Sequence, residues 1–259
     1  MKKKLITKQV SCAGEIREFF DQTAEAYREE HGNARKLLYY RLSVLEEFAG
    51  FSPDQTVLDI GCGNGHHLFA LTEKFSHGIG IDFSAGMIRM ARSRLERFQF
   101  RHKLDFRVDD SETLATVSDG SVSRVICVGA FEHMLNKKAV LGSVYRVLKP
   151  GGRFVLLTLN GAYFWYTFLA PRLQLHYKHF STDTFLNRKE IESLLTATGF
   201  VNVRAGTWRF IPKGDMPGWT AFFLEIFDRL GMILGIEKFR GGIVVSAEKP
   251  YPMGGKPTD

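Results

Sequence analysis

The residues best suited to chemistry stand in one short run, TVLDIGCGNG, from Thr56 to Gly65. Its first half predicts a buried strand, and its glycines predict a turn that opens a helix and exposes backbone N–H groups to a ligand. A dinucleotide-binding loop needs a third glycine, where this chain has His66. Asp59, ahead of the glycines, would repel a pyrophosphate and attract a cation, unless it only caps the turn. The run therefore favours a nucleoside ligand that carries positive charge.

Further polar residues stand at the ends of the next two predicted strands. Asp82 lies 21 residues after Gly61, the usual spacing for a carboxylate that accepts both ribose hydroxyls of a nucleoside. Asp110 and Ser111 follow the third strand, where a carboxylate can accept from the adenine amine and a backbone N–H can address the ring. S-adenosylmethionine combines adenosine with a sulfonium and an ammonium group and has no phosphate, so it is the cofactor that these acids favour.

Glu132 and His133 follow the fourth predicted strand, where they would lie over the sulfonium of such a cofactor. Methyl transfer is an in-line displacement, so a base is needed only when the accepting atom must lose a proton. An imidazole with a pKa of about 6.5 can take a phenol or enol proton, which makes His133 the candidate general base. A loop histidine that only shapes the pocket is an equally good interpretation. His66 and His67 lack a third ligand at a recognisable spacing, so we expect no metal site.

Short apolar runs alternate with longer amphipathic runs after residue 50, which is typical of βαβ units in a doubly wound sheet of the α/β class. We predict a mostly parallel, seven-stranded sheet with strands at 56–60, 78–82, 104–108, 123–128, 153–159, 201–210 and 242–248. Helices are predicted at 15–31, 35–49, 65–75, 84–98, 137–148 and 187–199. The run KPGG from Lys149 should end the fifth helix, and Asn187 with Glu190 predicts a capping box at the sixth.

The chain of 259 residues is long enough for one enzyme-sized domain with appendages. We assign 1–50 to an N-terminal tail and two cap helices, and 51–259 to the main domain. Aromatic-rich insertions at about 160–186 and 211–240 are candidate lids. The start MKKKLITKQVSCAG lacks the apolar run of a signal peptide and is expected to be a disordered tail. The three cysteines have no zinc or disulfide spacing, which favours a reducing, cytoplasmic compartment.

Five motifs follow one another between about residues 50 and 160: VLDIGCGNG, GIGIDFS, VDDSETL, AFEHM and RVLKPGGRFVL. In order and spacing they resemble the class I, Rossmann-like S-adenosylmethionine-dependent methyltransferases. The resemblance is strongest to the branch that acts in ubiquinone and menaquinone biosynthesis and on other small molecules. One departure is the run from Ser121 to Val125, which lacks the Phe-Asp pair usual before the fourth strand of that family. That acid is usually structural, so the expected cofactor is unchanged.

The resemblance also implies which residues bind the cofactor. The methionine end would be lined by Asp59, Gly61, Cys62 and Gly63, the ribose and adenine would be held by Asp82, Phe83, Asp110 and Ser111, and Cys127 would offer its backbone to the amino group. Tyr27 stands in a run, FDQTAEAY, similar to the family's first helix, where a tyrosine closes over the methionine portion. A buried tyrosine of an ordinary amphipathic helix is an equally good interpretation of Tyr27.

Two features bear on the methyl acceptor. Enzymes that methylate amino groups of nucleic-acid bases or glutamine usually have an Asn/Asp-Pro-Pro-Tyr/Phe turn after the fourth strand, where this chain reads GAFEH. The aromatic insertions favour an apolar acceptor. In the second insertion Glu225, Asp228 and Arg229 form a narrow charged stripe, and apolar residues face elsewhere. We expect this helix to lie on the protein core or a bound substrate, on a membrane surface, or on a second subunit of a homodimer.

The formal charge of +7 is concentrated in part in residues 89–107, where a solvated helix face is favoured over a nucleic-acid site. Together these features predict an enzyme that methylates the oxygen or carbon of a lipophilic small molecule: a quinone-like aromatic, an isoprenoid or a polyketide. It would act in the cytoplasm or at the inner membrane surface. The alternatives are an RNA or protein methyltransferase and a non-catalytic S-adenosylmethionine-binding module.

Overall fold

The computed structural model describes residues 6–8, 10, 12–24, 34–173, 176–211 and 218–252. Its strands are β1 (Ile6–Lys8), β2 (Thr56–Ile60), β3 (His77–Asp82), β4 (Leu104–Val108), β5 (Val122–Val128), β6 (Leu148–Leu159), β7 (His176–Phe180), β8 (Val201–Trp208) and β9 (Gly242–Glu248). Seven of them form one sheet in the order β4-β3-β2-β5-β6-β9-β8. Strand β9 runs antiparallel to both of its neighbours, and the other pairings in this sheet are parallel. The predicted mostly parallel, seven-stranded α/β fold is confirmed.

The helices connect these strands in the predicted alternation. They are α1 (Ala13–Thr23), α2 (Ala34–Ala49), α3 (His66–Leu71), α4 (Ala85–Glu96), α5 (Lys137–Val147), α6 (Ala170–Leu173), α7 (Arg188–Thr198) and α8 (Gly218–Leu234). Local sequence explains where two of them begin. The Ser84 hydroxyl accepts a hydrogen bond from the N–H of Met87 at the start of α4, and Asn187 with Glu190 forms the expected capping box of α7.

Both faces of the sheet are buried, as a doubly wound fold requires. Alternate residues of β2 enter opposite layers, with Leu58 and Ile60 in one apolar cluster and Val57 in the other. The strand order turns at β2, which has β3 on one side and β5 on the other. In open α/β sheets a ligand crevice forms at such a switch point, outside the carboxyl ends of the strands.

Two predictions about element boundaries were wrong. The fifth strand of the parallel set, β6, begins at Leu148 and includes the KPGG run, because Gly151 donates to the Lys249 carbonyl and Lys249 donates to that of Gly152. The expected disordered tail contains β1, which pairs in parallel with β7. The unpaired backbone groups at the edge of β7 pair with this segment, and the sequence near residue 6 has no local pattern that predicts the pairing.

The two aromatic-rich insertions pack against each other. Together with the end of β6 they form a third apolar cluster that includes Leu159, Tyr163, Trp165, Tyr166, Ala170 and Leu224. A π-helical turn, Trp165–Leu169, leads into α6 within the first insertion. The insertions therefore add a layer beyond the sheet, and their described parts are ordered by mutual contact.

Candidate active site

A cleft with an empty volume of about 880 Å³ opens at the carboxyl ends of β2, β3, β4 and β5. Its lining includes seven of the residues predicted from the sequence: Gly61, Gly63, Asp82, Phe83, Asp110, Ser111 and His133. The structure therefore brings together residues from four separate loops at the switch point of the sheet.

The glycine loop after β2 follows the rim of the cleft. Gly61 has a φ of +67°, and a Cβ at this position would lie 2.5 Å from the Cβ of Ala130. Only glycine allows both that backbone conformation and the close approach of the loop after β5. The loop is held to the sheet by the N–H of Cys62, which donates to the Ile81 carbonyl at 2.9 Å. A ligand can thus reach bare backbone at Gly61 and Gly63.

Asp82 ends β3 inside the cleft, and both of its carboxylate oxygens accept backbone hydrogen bonds. Oδ2 accepts from the N–H of Gly63 and Oδ1 from that of Ser84, each at 2.9 Å. Burial raises the pKa of Asp82 to about 6; the two hydrogen bonds oppose this rise, and the charges of Asp59 and Asp21 add to it. Each oxygen keeps a second lone pair for a ligand hydroxyl. Asp82 holds the glycine loop and can accept ribose hydroxyls as well.

Asp59 lies beneath the loop and is fully buried. Neither carboxylate oxygen has a hydrogen-bond partner among the described residues, and Nδ1 of His67 lies 3.8 Å from its Oδ2. Burial raises the pKa of Asp59, and His67 only partly offsets the rise. Asp59 therefore does not line the cleft, where a direct contact with the methionine end was expected. The side chains of Cys62 and Cys127 are also in the core clusters and not at the cleft.

The opposite end of the cleft is built by the loop after β4. Asp110 and Ser111 line it, and Oδ1 of Asp110 accepts from the N–H of Glu112 at 2.9 Å. The neighbouring Asp109 is used differently, because its carboxylate accepts from the N–H and the hydroxyl of Thr116. Asp109 shapes the loop, and Asp110 is left at the rim where an adenine edge would lie.

Helix α1 forms the outer wall of the cleft and is fastened to α4 by Asp21. Oδ1 of Asp21 accepts from the Ser84 hydroxyl and from the N–H of Gly86, each at 2.7 Å. Burial raises the pKa of Asp21, but these two hydrogen bonds and the nearby arginines outweigh it and hold the pKa below its ordinary value. The cleft side of α1 contributes Ala13, Ile16, Arg17 and Phe20. By holding α1 against α4, Asp21 fixes the position of these four residues in the wall of the cleft.

His133 and Asp183 form a hydrogen-bonded pair at the edge of the cleft. Nδ1 of His133 lies 2.8 Å from Oδ1 of Asp183, and Oδ2 of Asp183 accepts from the N–H of Phe180 at 3.0 Å. Burial lowers the pKa of His133, but the hydrogen bond to Asp183 and the charge of Glu132 outweigh it and raise the pKa above its ordinary value. With Asp183 ionised, Nδ1 carries the proton and the ring's lone pair is on Nε2.

The family model described as "Methyltransferase domain" matches residues 51–199, which include the glycine loop, Asp82 and the His133–Asp183 pair. The chain belongs to this methyltransferase family. It is 32% identical over 173 residues to phosphoethanolamine N-methyltransferase 2 of Caenorhabditis elegans, covering 63% of this chain and 36% of that protein. It is also 32% identical over 120 residues to a ubiquinone biosynthesis O-methyltransferase of Pseudomonas paraeruginosa, covering 46% of this chain and 50% of that protein.

These two matches span about a third to a half of the length of the curated relatives. Among solved structures, the putative methyltransferase in complex with the Haloferax volcanii Trm112 methyltransferase activator has a TM-score of 0.66 at 24% identity. That match covers 90% of this chain and 98% of the other. The shared architecture is therefore the class I methyltransferase fold.

S-adenosylmethionine is the cofactor of this methyltransferase family, and the residues of the cleft fit it. Asp59 places an unpartnered carboxylate beneath the glycine loop, where a sulfonium and an ammonium would be attracted through the backbone layer. Gly61 and Gly63 leave the loop bare, and the Asp82 carboxylate has acceptor capacity for ribose hydroxyls. A pyrophosphate at the glycine loop would lie above the buried acid Asp59, which disfavours a dinucleotide.

Two site residues were missed by sequence reasoning, namely Asp21 and Asp183. Asp183 contacts His133 of the cleft, and Asp21 holds α1 against α4. The partners in each case are remote along the chain, so no spacing rule points to either acid. The sequence contains one signal for Asp21, namely Gly86 in the first turn of a helix. A glycine at such a position often marks a place where another backbone approaches closely. Tyr27, which we expected to cover the methionine portion, lies outside the described residues.

Proposed function

We propose that this methyltransferase transfers the methyl group of S-adenosylmethionine to an oxygen, or to an activated carbon, of an apolar small molecule. The observation that carries the proposal is the His133–Asp183 pair, because His133 lines the cleft and its contact with Asp183 fixes the ring orientation. The similarity to a ubiquinone biosynthesis O-methyltransferase supports a quinone-like aromatic acceptor. An isoprenoid or a polyketide would meet the same chemical requirements.

His133 acts as general base in this mechanism. When bound, S-adenosylmethionine supplies an electrophilic methyl group on a sulfonium that leaves as a neutral thioether. Nε2 of His133 takes the proton of the acceptor O–H while the acceptor oxygen forms its new bond to carbon. Asp183 keeps Nδ1 protonated and stabilises the imidazolium that results. The same base would remove an enol proton if the acceptor atom were carbon.

An apolar acceptor is supported by the side chains around His133. The rings of Phe20 and Phe180 lie edge-on to the imidazole, with centroids at 5.6 and 5.5 Å. Ile16, Met134 and Leu135 extend this apolar wall along the cleft. Such a surface excludes water and holds an aromatic or polyprenyl group better than a polar one. A lipophilic substrate would also be reached most easily by an enzyme at the inner membrane surface.

Transfer of an isotope-labelled methyl group tests the activity. The full chain is incubated with labelled S-adenosylmethionine and a cell extract separated into lipid, RNA and protein fractions. We expect label in the lipid fraction, and none with an Asp82→Asn variant. Label confined to RNA or protein would replace the proposal with a macromolecular methyltransferase. Cofactor binding without any transfer would leave a non-catalytic binding module.

The role of His133 is tested separately with the acceptor found in that experiment. His133→Gln should lower kcat by at least about 100-fold, as is usual for loss of a general base, and leave the Kd for S-adenosylmethionine within about twofold. The matched control is His77→Gln, because His77 lies at the amino end of β3, opposite to the end that meets the cleft. Equal loss in both variants, or loss of cofactor binding alone, would contradict the base role.

A further inference from the structure

Most of the large apolar residues of α8 are directed outward, although Leu224 is buried, and its acids are directed inward. Asp228 is buried, and its Oδ2 accepts from Nη1 of Arg240 at 2.6 Å. Glu225 forms an ion pair with Arg209 at 3.4 Å. The opposite side of the helix is exposed and apolar. This is the reverse of a helix packed on a globular core, whose polar side faces solvent.

The exposed side of α8 is defined here as the α8 face. At 100° per residue its members fall within an arc of about 120°. They are 40–73% exposed: Phe222, Phe223, Ile226, Leu230, Ile233 and Leu234. At roughly 200 Å² for a fully exposed large side chain, they present on the order of 600–700 Å² of apolar surface. Typical monomers have a largest apolar patch of about 300–600 Å², and such patches often mark an interaction site.

The first insertion extends this surface. Phe164 contacts Phe227 of α8, with ring centroids 5.3 Å apart, and stacks on Phe168 at 6.4 Å. Phe168 is itself half exposed, and the guanidinium of Arg172 lies over its ring at 3.6 Å. The apolar surface is therefore bordered by a cation on this side.

The charges near the α8 face point to an anionic partner. Because Glu225 and Asp228 pair inward, the exposed charged residue beside the arc is Arg229, and Arg172 stands at the border. The whole chain carries a formal charge of +7. A convex apolar ridge with basic flanks matches a bilayer interface that contains anionic lipids. A second copy would bring the same basic flank to an isologous interface, which disfavours a dimer through this face.

We propose that the α8 face docks this protein on an anionic membrane surface. The helix lies in the plane of the interface with its apolar arc among the upper acyl chains, and Arg172 and Arg229 contact acidic headgroups. No helix in the described ranges is long and apolar enough to span a bilayer, so the contact is peripheral. The proposal concerns a surface separate from the cleft and stands independently of the methyl acceptor.

Vesicle flotation with the full chain tests the docking. The vesicles are phosphatidylcholine with 30% phosphatidylglycerol, or phosphatidylcholine alone, at low and high salt. We expect binding to the anionic vesicles that weakens with salt. The variant Phe222→Ser/Ile226→Ser/Ile233→Ser should bind about 100-fold more weakly, since each half-inserted side chain is worth about fivefold. Arg229→Glu should weaken binding about tenfold, because two charge units change at the headgroups.

The matched control is Tyr39→Ser/Val201→Ser, which removes exposed apolar side chains on α2 and β8. It should bind vesicles like the wild type. The Kd for S-adenosylmethionine, measured for every variant, shows whether the fold and the cleft are intact. Absence of wild-type binding to anionic vesicles at low salt would overturn the proposal. A dimer in solution that the triple variant converts to monomer, with vesicle binding unchanged, would assign the α8 face to a second copy.

Discussion

Replacement of Gly86 by alanine tests whether the attachment of α1 controls cofactor binding. A Cβ at Gly86 would lie 3.0 Å from the carbonyl oxygen of Asp21 and 3.1 Å from its Oδ1. Both contacts are too short for carbon and oxygen, and the neighbour on the α1 side is backbone, which cannot rotate away. Helix α1 must therefore move outward by a few tenths of an ångström, stretching the hydrogen bonds that Asp21 accepts from Ser84 and Gly86.

The expected cost follows from those two bonds. A hydrogen bond to a charged group contributes about 1.5–3 kcal/mol, and partial loss of two such bonds at a half-exposed site should cost about 1–2 kcal/mol. The alanine gains helix propensity of at most about 1 kcal/mol at this position, which stabilises α4 but does not restore the position of α1. Because α1 supplies Ile16, Arg17 and Phe20 to the cleft, we expect S-adenosylmethionine to bind roughly 5–30-fold more weakly.

Isothermal titration calorimetry of the full chain measures this change in Kd. The control is Gly142→Ala in α5, where an added Cβ meets nothing within 4 Å. Gly142→Ala should leave the Kd unchanged and raise the stability by about 0.5–1 kcal/mol. Asp21→Asn, which keeps the shape of the side chain and removes its charge, should weaken binding in the same direction as Gly86→Ala. If Gly86→Ala bound the cofactor within twofold of the wild type, α1 would not be part of the binding site.

Three further outcomes are expected. Asp183→Asn should lower the pKa of His133 and move the acid limb of the kcat/KM profile to lower pH, with kcat about 100-fold lower from lost orientation; an unshifted limb would make Asp183 merely structural. Because the pKa of Asp82 is raised to about 6 and its carboxylate form accepts hydroxyls, S-adenosylmethionine should bind about tenfold more tightly at pH 7 than at pH 5. In Asp82→Asn that dependence should vanish, and a wild-type Kd independent of pH would refute the linkage. Asp228→Ala should cost about 3–5 kcal/mol in urea unfolding, because it leaves the buried Arg240 charge without a partner; a loss below 1 kcal/mol would show that the pair is not structurally important.

The sheet was predictable because its signals are local. The central strands β2 and β3 are buried along nearly their whole length and appear as short apolar runs, and the turn after β2 needs glycines that the sequence displays. The pairing of β1 with β7 is different, since it joins residues near 6 and 176. A three-residue strand at that separation depends on the edge it meets and has no pattern of its own.

The same distinction holds for the candidate site. Asp82 is the last residue of β3 and His133 lies in the short segment after β5, so the parallel fold brings them to one edge and the sequence is enough to place them. Asp183 reaches His133 from 50 residues along the chain, through the first insertion. Asp59 is a third case, because the structure buries it beneath the glycine loop and not at the cleft surface. Because the backbone of the loop lies between this carboxylate and the cleft, the carboxylate would attract a bound cation electrostatically and without direct contact.

The orientation of α8 follows from partners on either side of it. The sequence shows a charged stripe and an apolar stripe, but either could face the protein. Arg240 and Arg209 decide which stripe of α8 faces the protein. Their guanidinium groups lie on the side of α8 that faces the protein, where they pair with Asp228 and Glu225. None of the described residues of α8 lines the cleft, so the outward apolar arc is not explained by substrate binding. An apolar surface of this size outside both the core and the cleft often marks an interaction site, which is why the membrane test addresses α8 directly.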